Sequence, residues 1–402
     1  MNGPLRLAGL LVLAASVSAC SSGGSTSLPA AGGQSAASSN SAPDWQTRHT
    51  AKRACDGPRT GNRMQCDALI IHAPGAINPD VAGWGAPNLE AAYNLPSSSK
   101  GSGQIVAIVD AYDNPNVASD LAAYRSYFGL PTANFYKYNQ SGQQSNYPVA
   151  NSGWGVEIDL DVEMVSASCP NCTIYLIEAN DNSGTNLYAA EQEAVTLGAH
   201  IVSNSWGGGG GSSSGGDFDT KGVTYLASAG DSGYGMQDPA DYTTVVSVGG
   251  TLLSEASSKY SEVVWPDSGG GCSVVAKPSW QKDPKCAERI GNDITAVAWN
   301  VSLYDSYPHG AWGTVGGTSV SSPLMAGVFG LAGNATKQDG GKNFWTAKKK
   351  VRAKYLHYIT SGTLNKCPTQ YSGTYVCTAG TKQFGTYSGP TGWGSPNGIG
   401  AF

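Results

Sequence analysis

The run Gln104-Ile105-Val106-Ala107-Ile108-Val109-Asp110 decides the fold, because an apolar, β-branched stretch of this length closed by a carboxylate reads as a buried strand. Pro115 then opens an amphipathic helix to about Phe128, since proline is accommodated in a helix's first turn. Working outward, a helix is expected over about Trp154–Ala167, a strand over Thr173–Glu178, a helix near Asn186–Gly198 and a strand over His200–Ser205. Val223–Ala229 and Thr244–Val248 are two further apolar, β-rich runs. Strand alternating with helix predicts an α/β fold with a mostly parallel central sheet flanked by helices on both faces. Functional groups in such folds collect at the carboxyl ends of the strands.

The bulk properties narrow the function. A chain of 402 residues has room for one large domain or two ordinary ones, since single cores stop growing at roughly 250–300 residues. Charged residues make up only 13% and there are 54 glycines, a balance that suits a loop-rich exported α/β protein. The formal net charge of -5 offers no basic surface for a polyanion, so no nucleic-acid partner is expected.

The amino terminus reads as an export signal. Arg6 supplies a sparse positive start, and the apolar run Leu7–Val17 is too short to span a bilayer. Val17-Ser18-Ala19-Cys20 resembles a bacterial lipobox, in which Cys20 becomes the acylated first residue; an ordinary signal peptide with a chance cysteine is the alternative. The Ser/Gly/Ala-rich stretch from Ser21 to Pro43 is the flexible tether that an anchored protein needs. Residues 1–20 are thus assigned to a signal peptide, 21–43 to a tether and 44–88 to a short amino-terminal segment, with a regular domain over 89–402. The expected location is the outer membrane or cell surface through the lipid, or the secreted state, and a monomer is expected.

Apart from Cys20, eight cysteines remain, an even set that implies disulfides in an exported chain. Pairing of sequence neighbours gives Cys55–Cys66, Cys169–Cys172, Cys272–Cys286 and Cys367–Cys377, one connectivity among many. Cys169-Pro-Asn-Cys172 lacks the second such pair or clustered histidines that a zinc site needs.

Three stretches carry chemistry. Gly316-Gly317-Thr318-Ser319-Val320-Ser321-Ser322-Pro323 precedes the helical run Leu324–Ala332, and a serine at a helix start sits in positive potential that favours a developing oxyanion. Ser319 is a candidate nucleophile, although a helix cap would use the same residue. The usual base is histidine, yet none of the five, His49, His72, His200, His309 and His357, lies in a convincing setting. Another base is available in Gly155-Val156-Glu157-Ile158-Asp159-Leu160-Asp161: four residues apart on a helix, Glu157 and Asp161 share a face. Adjacent carboxylates split their titrations, so one can hold a proton that orients the other, whereas a merely solvated acidic face would look the same in sequence. Ala227-Ser228-Ala229-Gly230-Asp231-Ser232-Gly233 follows an apolar strand and places Asp231 at a strand end, where it could equally be a turn residue.

Together, and in this order, Glu157-xxx-Asp161, Ser228-Ala-Gly-Asp231-Ser-Gly233 and Gly317-Thr-Ser319 resemble the three motifs of the sedolisin, or serine-carboxyl, peptidase family. Val248-Gly-Gly-Thr251 and Pro390-Thr-Gly-Trp-Gly-Ser-Pro-Asn-Gly398 are similar to further family segments, so the resemblance covers about Leu89 to Phe402. It implies a subtilisin-like fold and an endopeptidase working through an acyl-enzyme at acidic pH. Ser319 would attack, Glu157 would move the proton, Asp161 would orient Glu157, and protonated Asp231 would hold the oxyanion. Protein or peptide substrates are implied, and by weaker analogy Ser205, Trp206 and Gly207 would form the edge that pairs with them; Trp206 could also be core packing. The alternative is a catalytically silent lipoprotein of the same fold that binds peptides.

Two departures stand out. Where the family places calcium-binding carboxylates, this chain has Tyr358 and Ser388, so a weak calcium site or none is expected, and the chemistry needs no cofactor. Only the segment before Leu89 is available for a propeptide, shorter than the family norm.

Overall fold

A computed structural model describes residues 50–56, 61–72, 82–209, 215–307 and 311–402. The signal peptide, Cys20, the tether, His49 and His309 lie outside the described residues. Among the described residues no helix is long and apolar enough to cross a membrane.

Three short strands come first, β1 (Thr50–Arg53), β2 (Gln65–Cys66) and β3 (Leu69–His72), followed by helix α1 (Ala86–Tyr93). The expected β-α rhythm then appears as β4 (Ile105–Ala111), α2 (Val117–Tyr127), β5 (Asn134–Asn139), α3 (Ser152–Ser168), β6 (Thr173–Ala179), α4 (Gly184–Thr196) and β7 (Ile201–Asn204). After β8 (Trp206–Gly209) come β9 (Thr224–Ser228), β10 (Gln237–Asp238), β11 (Val245–Ala256), β12 (Lys259–Val264), β13 (Ile294–Val297), β14 (Val301–Asp305), β15 (Ala311–Gly316) and α5 (Thr318–Ala332). The glycine-rich run from Gly207 is thus partly strand; its residues 210–214 are outside the described set.

The central sheet runs β12-β11-β9-β7-β4-β6-β5, with β13 also alongside β11, and every pair is parallel except β11 with β12. Every residue of β7, β9 and β13 is buried, as expected for parallel strands covered on both faces. That double burial is why these strands read as unbroken apolar runs.

Helix α3 is buried along its whole length from Trp154 to Ser168, including Glu157, Asp159, Asp161 and Glu163. It is started by Asn151, whose side chain accepts from the amides of Gly153 (3.0 Å) and Trp154 (3.1 Å). Helices α3 and α5 pack directly on each other. The approach is close enough that a Cβ on Gly327 of α5 would meet Ser168 Oγ at 1.9 Å.

All four expected disulfides are formed. Each closes a short loop, so the closure entropy that each removes from the unfolded chain is modest and local.

Candidate active site

The site is assembled where α3 and α5 meet beside the carboxyl ends of β7 and β9. Helix α5 starts immediately after Gly317, whose φ of +113° is a conformation that favours glycine. Ser319 therefore lies in the first turn. Pro323 lacks the amide that would bond the Ser319 carbonyl four residues back, and the Ser205 hydroxyl oxygen lies 3.4 Å from that carbonyl.

The Ser319 hydroxyl donates to Glu157 Oε2 at 2.9 Å and lies 3.2 Å from the Ser205 carbonyl oxygen. One helical turn along α3, Asp161 Oδ1 accepts from the Ser205 hydroxyl at 2.7 Å. Glu157 Oε1 and Asp161 Oδ2 are buried without any other donor, and a hydrogen bond between the two side chains accounts for both. Burial first, and then the Asp161 carboxyl, push Glu157 well above the usual carboxylate range. Asp161 is likewise raised, by burial and by Asp110. Two carboxyls held this close lose their protons in two separate steps, so between those steps the pair holds one proton and one negative charge.

The other two carboxylates of α3 are engaged elsewhere. Asp159 Oδ2 accepts from the Asn114 amide at 2.8 Å, and Glu163 Oε2 accepts from the Tyr304 backbone amide at 3.1 Å. Burial of the whole helix removes the solvated-face reading of this acidic stretch.

Asp231 sits three residues beyond β9. Its Oδ1 accepts from both the backbone amide and the hydroxyl of Thr318, each at 2.8 Å, while Oδ2 is buried with no donor. Burial, and then the Asp67 carboxylate, raise its pKa to about 8 against the opposing pull of Arg53 and the Thr318 bonds. Below that pH it is a neutral acid with a proton on the side that faces Gly317: a Cβ on Gly317 would meet Oδ2 at 2.8 Å.

Among the described residues the Ser319 hydroxyl has no histidine partner. His200 is bonded to the Gly222 carbonyl, and His357 lies near Glu262 in a strand paired with Ser395.

Ser205, Trp206 and Gly207 border the site. The Trp206 ring is fully buried and donates Nε1–H to the Val109 carbonyl at 2.8 Å, so the side chain belongs to the core while its backbone forms strand β8. β8 is not an empty edge: β2 pairs with it antiparallel, Gln65 opposite Gly207 and Cys66 opposite Trp206.

Two residues here escaped the sequence reading. Asp110, at the end of the fold-deciding strand, is buried with no donor to either oxygen, and burial and Glu157 raise its pKa. Its signal was present, a carboxylate at the carboxyl end of a central strand. Asp67 lies ahead of the regular pattern, in a stretch with no periodicity to mark it.

The chain matches the subtilase family over residues 101–394. It is similar to kumamolisin from Bacillus sp. (strain MN-32), 30% identical over 299 residues that cover 64% of this chain and 52% of that protein. Sedolisin from Pseudomonas sp. (strain 101) is 25% identical over 351 residues, 75% of this chain and 58% of the other. The solved structure of Pseudomonas sedolisin complexed with two molecules of pseudo-iodotyrostatin superposes with a TM-score of 0.64 at 25% identity, covering 79% of this chain and 96% of that one. The chain spans little more than half the length of these two curated relatives.

Proposed function

The chain belongs to the subtilase family, on its sedolisin (serine-carboxyl) branch, and from that premise we propose that it is an endopeptidase with Ser319 as nucleophile and Glu157 as general base. The observation that carries the reading is the 2.9 Å hydrogen bond from Ser319 Oγ to Glu157 Oε2. A nucleophile and base in hydrogen-bond contact, with a third group orienting the base, is the arrangement that acyl transfer requires.

In the proposed reaction Ser319 Oγ attacks a peptide carbonyl while Glu157 takes its proton. Protonated Asp231 donates from Oδ2 to the oxygen that becomes negative, and the proton on Glu157 then passes to the departing amine. Water repeats the sequence on the acyl-enzyme. Asp161 keeps Glu157 in place and holds the proton that the pair shares.

This chemistry favours acid. The base works while the Glu157–Asp161 pair keeps one proton, and Asp231 is a donor only below its pKa of about 8. Protein or peptide chains are the substrates proposed, met outside the cell, with the lipid on Cys20 as the membrane attachment. No metal takes part in these steps. The calcium position of the family does not suit the residues present: Tyr358 offers a phenol, it lies beside Lys349, Arg352 and Lys382, and the Ser388 hydroxyl is already paired with Thr391 Oγ1 at 2.8 Å. Calcium is held by several oxygen ligands, carboxylates foremost, and cations beside them oppose it.

The test is proteolysis of an unfolded protein at pH 4 by the wild type and by Ser319→Ala. Cleavage by the first and not the second is expected. Equal cleavage by both would remove Ser319 from the chemistry, and none at any pH would favour the silent peptide-binding lipoprotein.

A further inference from the structure

We propose that residues 61–72 lie in the catalytic cleft as a built-in substrate, and that the Asp67–Ala68 peptide bond is the bond this chain presents to its own Ser319. The inference rests on the peptidase reading above and adds the identity of its first substrate and the side chain that its primary pocket accepts.

The register supports it on both sides of the bond. Upstream, β2 runs antiparallel to β8, and the Asp67 amide donates to the Ser205 carbonyl at 3.0 Å, extending that ladder by one residue. Downstream, β3 pairs antiparallel with β15, Leu69 opposite Gly316. An extended chain that adds backbone hydrogen bonds to strand edges on either side of a catalytic serine is bound as a peptidase binds its substrate.

The bond itself meets the reacting groups. The Ala68 amide donates to Glu157 Oε2 at 2.8 Å, the same oxygen that accepts from Ser319 at 2.9 Å. One carboxylate oxygen thus faces both the nucleophile and the nitrogen that must leave. The Asp67 carbonyl oxygen lies over Gly317, where a Cβ would approach it to 1.9 Å, and the unpartnered Asp231 Oδ2 faces the same spot at 2.8 Å. Ser319, Glu157 and Asp161 are completely buried, and the strands that flank Asp67 and Ala68 pair with β8 and β15 around them.

The Asp67 side chain fills a pocket of its own. The Ser228 hydroxyl donates to Asp67 Oδ2 at 2.6 Å, and Gln237 Nε2 donates to the same oxygen while holding the Ser228 carbonyl at 3.0 Å. Both donors are buried, so a side chain without an acceptor would cost each of them a hydrogen bond. The pocket is therefore matched to a carboxyl or carboxamide group.

The step balances without further reagents than water. Ser319 Oγ bonds to the Asp67 carbonyl carbon as its proton moves to Glu157; the carbon–nitrogen bond breaks and that proton goes to the Ala68 nitrogen. Water then attacks the ester, gives one proton through Glu157 back to Ser319 Oγ, and leaves Asp67 as a new carboxyl terminus. Cys55 and Cys66 both precede the bond, so the released piece keeps its disulfide loop and is held to the rest without a covalent link, by strand pairing of β1 with β3 and β2 with β8 and by side-chain contacts such as Arg63 with Asp181 and Asn182.

The test uses full-chain protein prepared at neutral pH and shifted to pH 4, with terminal sequencing and intact mass followed beside cleavage of an unfolded protein. Expected are a new amino terminus at Ala68 in the wild type, none in Ser319→Ala, and none at that bond in Ala68→Pro, whose nitrogen cannot bond Glu157. In peptides copying residues 63–69, Asp or Asn at the Asp67 position should be cleaved at least ~10-fold faster than Leu, by the loss of paired donors. Cleavage of the unfolded protein with Asp67–Ala68 intact, or a first cut elsewhere in the chain, overturns this inference and leaves the peptidase reading standing. A Leu peptide cleaved as fast as Asp overturns the pocket assignment. No cleavage of either substrate overturns both.

Discussion

Ser319 Oγ and Glu157 Oε2 stand 2.9 Å apart across the contact between α5 and α3, and no histidine among the described residues shares that hydroxyl. The consequences follow from how these two helices are held and from the carboxyls that surround Glu157.

In the proposed reaction Asp231 acts as an acid, so its replacement separates charge from hydrogen bonding. Asp231→Asn keeps an N–H donor that does not titrate. Its activity should fall, and the alkaline decline expected of the wild type as pH passes about 8 should flatten. Asp231→Ala, which removes the donor, should cost about 10²–10³ in kcat. An unaltered alkaline limb in Asp231→Asn, read from kcat against pH, would assign that limb to another group.

In the proposed reaction Asp161 orients rather than reacts. Asp161→Asn should lower kcat by about 10²-fold or more with KM nearly unchanged, because the loss is in positioning the base and not in binding the chain. Steady-state kinetics on one peptide checks the split; a rise in KM alone would place Asp161 in substrate binding.

Stability should fall as pH rises. Asp110, Glu157, Asp159, Asp161, Glu163 and Glu191 are all buried with their pKa values pushed up, so the folded chain binds more protons than the unfolded chain above about pH 4. That extra proton binding makes the folded state lose ground continuously from about pH 4 towards alkaline pH. Urea midpoints of Ser319→Ala, measured from pH 4 to pH 8 to avoid self-digestion, should decrease throughout; a midpoint that climbs over this range contradicts the assignment.

The α3–α5 contact depends on Gly327. Alanine there would bring a Cβ to 1.9 Å from Ser168 Oγ, a side chain already bonded to the Met164 carbonyl at 2.9 Å. The helices must separate, at a cost of about 1–3 kcal/mol. Because Ser319 and Glu157 lie on these two helices, kcat should drop in the same variant, whereas Gly209→Ala, with nothing near its Cβ, should be neutral in stability.

Chelation tests the calcium proposal. Excess chelator should leave both melting temperature and activity unchanged, since no carboxylate stands at Tyr358 or Ser388. Loss of activity on chelation with recovery on added calcium would show a site built from other residues.

The sheet was legible because its inner strands are covered on both faces and so appear as unbroken apolar runs, Ile105–Ala111 and Ile201–Asn204 among them. The disulfides were legible because each joins neighbours in sequence. The spacing of Glu157 and Asp161 put them on one face of a helix, but spacing could not say whether that face meets water or another helix. Burial against α5, a contact across more than 150 residues of chain, settles it and is invisible in local periodicity. The segment around Asp67 was hidden for the same reason: β2 has two residues, and its partner β8 lies far along the chain. A strand that short has no period to read.

The most direct test of the account is kcat/KM at pH 4 for one peptide with Glu157→Gln, His357→Ala and His309→Ala beside the wild type. The account predicts a loss of about 10²–10⁴-fold in Glu157→Gln and near wild-type values in both histidine variants. A tolerated Glu157→Gln together with inactivation by either histidine substitution would contradict it.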